Sequence, residues 1–318
     1  MHVPDGFLDA RTLISTAGLA AIGLGLALRE VRRHLPARRV PLIGLAAAFI
    51  FAAQMLNFPV AAGTSGHLIG AALASVLLGP TAAIVALTAV LLLQALMFAD
   101  GGITALGANV LNLAVIAPLV AHAVYSAVRR LAGESLQGTL LATGFAAWCS
   151  ATAAALACAA QLAASGVVAW GTVLAAMGGV HMVIGLGEAV ITMLIVAVVA
   201  RARPELVAPA TTATAPPRHR AAVAYGATLS IGLMILVAPF ASSLPDGLAH
   251  VAERFGFAES AVAAQPALLP DYTVVPLVAA SPWLATVAAG AIGALVAFAV
   301  AWFVARALAT PGRTTARR

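Results

Sequence analysis

The sequence predicts an all-α, polytopic membrane protein: a seven-helix core followed by two further transmembrane helices, with the N-terminus outside and the C-terminus in the cytoplasm. Three observations carry this reading. Of 318 residues 62% are hydrophobic and 9% are charged, against about 25% charged in a soluble domain. Several uncharged apolar runs reach the roughly 18–20 residues that cross a bilayer core. The charge that remains gathers at the ends of those runs. All seventeen basic residues are arginine, and their placement speaks of membrane topology and not of nucleic acid.

Taken in order, the first run covers 12–29 and ends in the arginines of 29–39. The second, 40–57, starts behind Arg39 and stops short of Pro59. The third, 68–79, is too short to cross alone, since twelve residues at about 1.5 Å each give roughly 18 Å. Gly79-Pro80 turns the chain into the fourth run, 81–98. The length missing from the third run must come from 57–67, and irregular backbone at that depth persists only under a cover of protein or beside a polar cavity. Runs at 107–128, 138–164 and 171–200 complete a core over 1–200. Cys149 and Cys158 share one run, form no CxxC pair, and read as packing residues. Residues 201–220, rich in Pro, Ala and Thr, read as a cytoplasmic linker. A two-helix module then spans 221–306, its helices at 221–240 and 283–306 flanking an acidic outer loop, 241–282, with a cytoplasmic tail at 307–318. Alternating nine helices places fifteen arginines inside and two, Arg11 and Arg254, outside. This bias sets the orientation of a multi-pass protein of the plasma or cell inner membrane.

The chain opens MHVPDGF, with neither early positive charge nor the shape of a secretory signal, and a histidine stands second. A free terminal amine, the deprotonated amide of residue two and the His2 imidazole can bind one ion through fused chelate rings, three nitrogens in a plane. Such tetragonal nitrogen sets suit Ni(II) or Cu(II). On the same side His67 ends a glycine-rich loop and is the candidate to close the square. Amides at helical spacing (Gln54, Asn57, Gln94, Asn109 and Asn112) are candidates to orient the imidazoles from an outer shell. Deeper, His181 and Glu188 lie seven residues apart on one helix face. Buried ionisable groups in a membrane raise a functional suspicion, and this pair reads as structural or conformational. His34, His122 and His219 lie toward the cytoplasm and take no metal role; His250 in the outer loop is a candidate relay.

Four ordered segments, MHVPDGFL (1–8), NFPVAAGTSGHLIGAAL (57–73), FADGGITALGANVLN (98–112) and HMVIGLGEAVIT (181–192), resemble the CbiM/NikM family, the substrate-binding membrane components of energy-coupling factor transporters for cobalt and nickel. The resemblance covers about 1–200 and implies that Met1, His2 and His67 hold the ion. Ala61-Ala62 replaces a frequent Pro-Gly of the family. VAPFASSLPDGLAHVAERFGF (237–257) resembles the PDGLE module, a two-helix partner of the same transporters, with Ala249 where glutamate is usual. The resemblance further implies a transmembrane coupling protein and a cytoplasmic ATPase pair as partners. This fits a chain without lysine, which cannot form a GxxxxGK[ST] phosphate loop. No permanent cofactor is expected, only the transported Ni(II) or Co(II), with planar nitrogen geometry leaning to nickel. The alternative is a proton-coupled secondary metal transporter working through Glu188 and His181. A membrane metalloprotease is a poor third, because no HExxH occurs.

Overall fold

A computed structural model describes residues 1–60, 63–133, 135–207, 219–236, 241–262 and 266–309. Ala61-Ala62, most of the expected linker (208–218) and residues 310–318 of the expected tail lie outside them.

Helix α1 (Ala10–His34) is longer than 12–29 at both ends. Asp9 caps it by accepting from the Thr12 amide, and Arg32, Arg33 and His34 fill its last turn, where positive charge meets the helix dipole favourably. Helix α2 (Val40–Gln54) stops three residues earlier than expected, because the chain goes extended into a small hairpin that apolar runs cannot announce. Strands β1 (Asn57–Pro59) and β2 (Ser65–His67) pair antiparallel, Asn57 opposite His67. Gly70, at φ 78°, turns the chain into α3 (Ala71–Leu78), so this helix starts at 71 and not at 68. Helix α4 (Pro80–Met97) follows directly.

The fifth run is composite. A short α5 (Leu106–Asn109) passes through a π-helical stretch, Val110–Ile116, into α6 (Ala117–Ala132). Single π turns often mark functional sites, and this one carries Asn112. Two long helices, α7 (Leu136–Ala164) and α8 (Trp170–Ala202), pack along each other. Small residues let them approach: a methyl at Gly144 would meet the Met193 sulfur at 2.6 Å, and one at Gly185 would meet Trp148 at 3.0 Å, the packing common between membrane helices.

Behind them come α9 (His219–Leu236) and α12 (Pro282–Leu308). Between these two lie α10 (Gly247–Phe255) and α11 (Val275–Val278), a partly helical form that was not expected for the outer loop. Among the described residues seven helical stretches are long and apolar enough to span a bilayer. Their outward faces carry large exposed side chains such as Ile14, Ile22, Leu26, Leu186, Leu194, Leu295 and Phe303. Water would not tolerate these in such number, whereas lipid is their natural solvent.

One carboxylate organises the interior next to the hairpin. Glu188 on α8 is fully buried, and its Oε1 accepts from the backbone N–H groups of Ile69 (3.2 Å) and Gly70 (3.1 Å), which fixes the turn just behind His67. Glu188→Ala strands both donors, each costing about 1–3 kcal/mol. Unfolding in detergent is therefore expected to show a loss of at least about 2 kcal/mol. Glu188→Gln keeps an acceptor at the same place and should lose clearly less.

Candidate metal centre

The first seven residues fold into the protein. Met1, Val3 and Phe7 are buried in the main core. Asn109, at the end of α5, holds the segment at Val3: its Oδ1 accepts from the Val3 amide at 2.7 Å and its Nδ2 donates to the Val3 carbonyl at 3.0 Å. Asp5 fixes the next turn by accepting from the amides of Ile103, Thr104 and Ala105 and from the Thr104 hydroxyl. Gly102 is pressed so close that a methyl there would lie 2.2 Å from the Asp5 carboxylate.

This anchoring carries the terminal amine inside, where Met1 is 3% exposed. The amine lies 2.6 Å from His67 Nε2 and 2.6 Å from Asp246 Oδ2. The rings of His2 and His67 stack, with centroids 5.3 Å apart and planes inclined by 12°. His2 Nδ1 contacts Asp100 Oδ1 at 3.1 Å, while its Nε2 is buried without a protein partner. Asp100 in turn accepts at Oδ2 from the Tyr272 hydroxyl, which accepts from Gln94 Nε2.

Electrostatics follow from this crowding. Burial, then repulsion from the terminal amine and His2, pushes the His67 imidazole down to about 3, so it is a neutral acceptor at physiological pH. Burial alone would raise Asp246, but the terminal amine and the Ala249 amide outweigh it and hold the carboxyl well below the usual range. Asp100 behaves likewise: burial opposes the shift, and the pull of His2 with hydrogen bonds from His2 and Tyr272 prevails. Burial, reinforced by Asp100, pushes the Tyr272 phenol upward.

Two imidazoles and an amine thus converge, flanked by two carboxylates. With metal–nitrogen bonds of about 2 Å, adjacent corners of a square plane lie about 2.8 Å apart, close to the amine–His67 separation. Among the described residues no three His, Cys, Asp or Glu side chains are grouped so as to hold an ion by themselves.

Several expected contacts are absent. None of the five amides bonds an imidazole, because carboxylate and backbone are the better-placed acceptors. The His2 partner is Asp100, and His67 Nδ1 meets the neighbouring Leu68 carbonyl at 3.3 Å. Gln54 donates to the Ile69 carbonyl, Asn57 stands opposite His67 in the hairpin and accepts at its carbonyl from the Ser242 amide, and Gln94 acts through Tyr272. Asn109 holds Val3, and Asn112 exchanges two hydrogen bonds with Gln161. His181 and Glu188 are not a pair: Glu188 serves the 69–70 backbone, while His181 Nδ1 donates to the Met177 carbonyl. His181 instead stands with Met1, His67 and Asp246 in the wall of one small cavity.

The acidic residues went unpredicted. Their signal was three aspartate–glycine turns, Pro4-Asp5-Gly6, Ala99-Asp100-Gly101 and Pro245-Asp246-Gly247, all brought to this end of the bundle.

Residues 2–206 match the family model described as the cobalt uptake substrate-specific transmembrane region, CbiM. The chain belongs to the CbiM family. Residues 220–310 match the PDGLE domain, so this CbiM-family chain carries the two fused. It is similar to a protein of Archaeoglobus fulgidus named as a fused nickel transport protein, with 36% identity over 96% of this chain and 98% of that one. It is also similar to the fused nickel transport protein of Rhodobacter capsulatus, with 38% identity over 69% of this chain and 67% of that one. A crystal structure of a truncated transition metal transporter superposes with a TM-score of 0.57 at 34% identity, over 64% of this chain and 99% of the other. The chain is thus a multi-pass membrane protein and a CbiM-type component of metal uptake.

Asn109→Ala leaves the buried Val3 amide without a partner, while the Val3 carbonyl keeps the Gly102 amide as donor at 2.9 Å. It is expected to lower stability by about 1–3 kcal/mol. It should also speed hydrogen exchange across residues 1–7, read by mass spectrometry, well beyond any change in α7.

Proposed function

We propose that this CbiM-type chain captures a divalent transition metal ion, nickel in preference to cobalt, on the outer side of the membrane. The ion is held by the Met1 amine, the deprotonated amide and imidazole of His2, and His67. The observation that carries this reading is the buried amine 2.6 Å from His67 Nε2 with the His2 ring stacked beside it, an unusual use of a chain terminus that a purely structural role leaves unexplained.

The fused ring at residue two closes only through His2 Nδ1, the nitrogen that now faces Asp100. Loading therefore exchanges the Asp100 contact of Nδ1 for the ion, and two protons leave to solvent in the same event, one from the Met1 ammonium and one from the His2 amide. Because these donors bind protons and metal in competition, protonation is the natural way to break the plane for release.

Energy for uptake comes from partners, a transmembrane coupling protein and a cytoplasmic ATPase pair. In support, the chain holds no lysine for a phosphate loop of its own. The 1–200 core and the 221–306 module act together as the specificity component, with the N-terminus outside. The proton-coupled alternative would need Glu188 and His181 to exchange a proton, and their partners lie on different backbone segments.

The test is calorimetric and spectroscopic titration of the purified chain, with its native N-terminus, against Ni(II) and Co(II). Nickel is expected to bind tighter and to give the yellow of low-spin square-planar coordination. His2→Ala, His67→Ala or one residue added before Met1 should each abolish that band and cost at least about 100-fold in affinity, a loss of about 2.7 kcal/mol. Wild-type binding by the extended chain would remove the amine from the site.

A further inference from the structure

The partner of the terminal amine belongs to the other half of the chain. Asp246 sits in the outer segment between α9 and α12, within the PDGLE match, 245 residues from Met1 in sequence. Its two carboxylate oxygens do different work. Oδ1 accepts from the Ala249 amide at 2.8 Å and caps α10, while Oδ2 lies 2.6 Å from the Met1 amine.

The turn that bears it is fastened to the strand that ends in His67. The Ser65 amide donates to the Pro245 carbonyl at 2.8 Å, and the Ser65 hydroxyl donates to the Leu244 carbonyl at 2.7 Å. Gly247 packs on the His181 ring so closely that a methyl there would come within 2.6 Å of Cε1, which gives His181 a supporting role. Farther along the same segment, Tyr272 stacks on Phe98 at 4.9 Å and bonds Asp100, the carboxylate on His2. The segment thus reaches both arms of the amine–imidazole chelate, directly at Met1 and through Asp100 at His2.

We propose that Asp246 is a positioning residue of the metal site: supplied by the C-terminal module, it holds the Met1 amine beside His67 and balances part of the charge of the bound dication, so that the site is incomplete without the module. This rests on the amine-based reading above. The amine has three hydrogens when charged and two when coordinated, so it can still donate to Asp246 once the ion is in place. Outer-shell carboxylates of this kind orient donors and offset charge, and their loss typically costs about 10–100-fold in metal affinity.

The test uses the full chain and Ni(II) as probe, with four variants beside wild type. Asp246→Asn keeps the cap on α10, since asparagine caps as well as aspartate, and removes only the charge. Asp246→Ala removes cap and charge together. Tyr272→Phe breaks the link to Asp100 alone, and one added residue before Met1 displaces the amine.

Expected are affinities about 10-fold or more weaker in both Asp246 variants, alike in size, although only Asp246→Ala lowers the melting temperature of the metal-free protein appreciably. Tyr272→Phe should lose less, about 3-fold. If Asp246→Asn binds nickel as wild type does while the extended chain does not bind, the amine site stands and the positioning role of Asp246 is overturned. If only Asp246→Ala loses affinity, Asp246 acts through the helix cap and the proposal equally fails. If the extended chain binds as well as wild type, the amine-based reading itself falls and takes this inference with it.

Discussion

A buried terminal amine is the constraint to which the rest of this molecule answers. Taking an ammonium group out of water costs several kcal/mol unless charge and hydrogen bonds meet it inside. Here one neutral imidazole and one carboxylate meet it, from His67 and Asp246. Each needs its own support. His67 ends a strand whose following turn is pinned by Glu188, and Asp246 begins a helix whose preceding residues are bonded to Ser65. Val3 and Asp5 hold the approach of the chain itself.

The same constraint explains why so much non-helical structure gathers at one end of a helical protein. A six-residue approach, a hairpin and an outer segment carry many backbone polar groups, which lipid would leave unsatisfied. They satisfy one another across the halves of the chain. The Ser242 amide donates to the Asn57 carbonyl, the Val262 amide to Asp5, and the Leu269 and Asp271 amides to the carbonyls of Met97 and Phe98. The outer segment is therefore both the cover of the site and the hydrogen-bond partner that lets an irregular loop lie there.

Helices were legible in the sequence because apolar length and arginine placement are direct physical signals, and each expected span corresponds to an observed helix. Their ends were less so: α1 runs on through Arg29–His34 because arginine is a good helix former and suits a helix C-terminus. The hairpin at 57–67 was invisible, being two three-residue strands with no alternation to read. At the site, Met1, His2 and His67 could be named from donor chemistry and family resemblance, and the structure brings those three together. Asp100 and Asp246 were missed because an Asp-Gly pair on a loop usually signals a turn and nothing more. The amides erred the other way: polar residues at helical spacing suggested an outer shell, yet their hydrogen bonds go to backbone, to Gln161 and to the Tyr272 hydroxyl.

On the amine-based reading proposed above, a site shared between two halves of one chain has a consequence for how an ion enters and leaves it. The amine and both imidazole rings are buried between the core and the segment that bears Asp246 and Tyr272, while both carboxylates remain partly exposed. In metal-free protein the donors are already paired among themselves, amine with His67 and Asp246, His2 with Asp100. An arriving ion must therefore replace contacts that exist, and its affinity is the difference between two well-formed states. That makes selectivity depend on which ion gains most from a plane of nitrogens over a set of hydrogen bonds, which favours ions with a strong preference for that geometry. It also makes release attainable, because in the hydrogen-bonded state waiting on the other side of the exchange the amine is met by both His67 and Asp246.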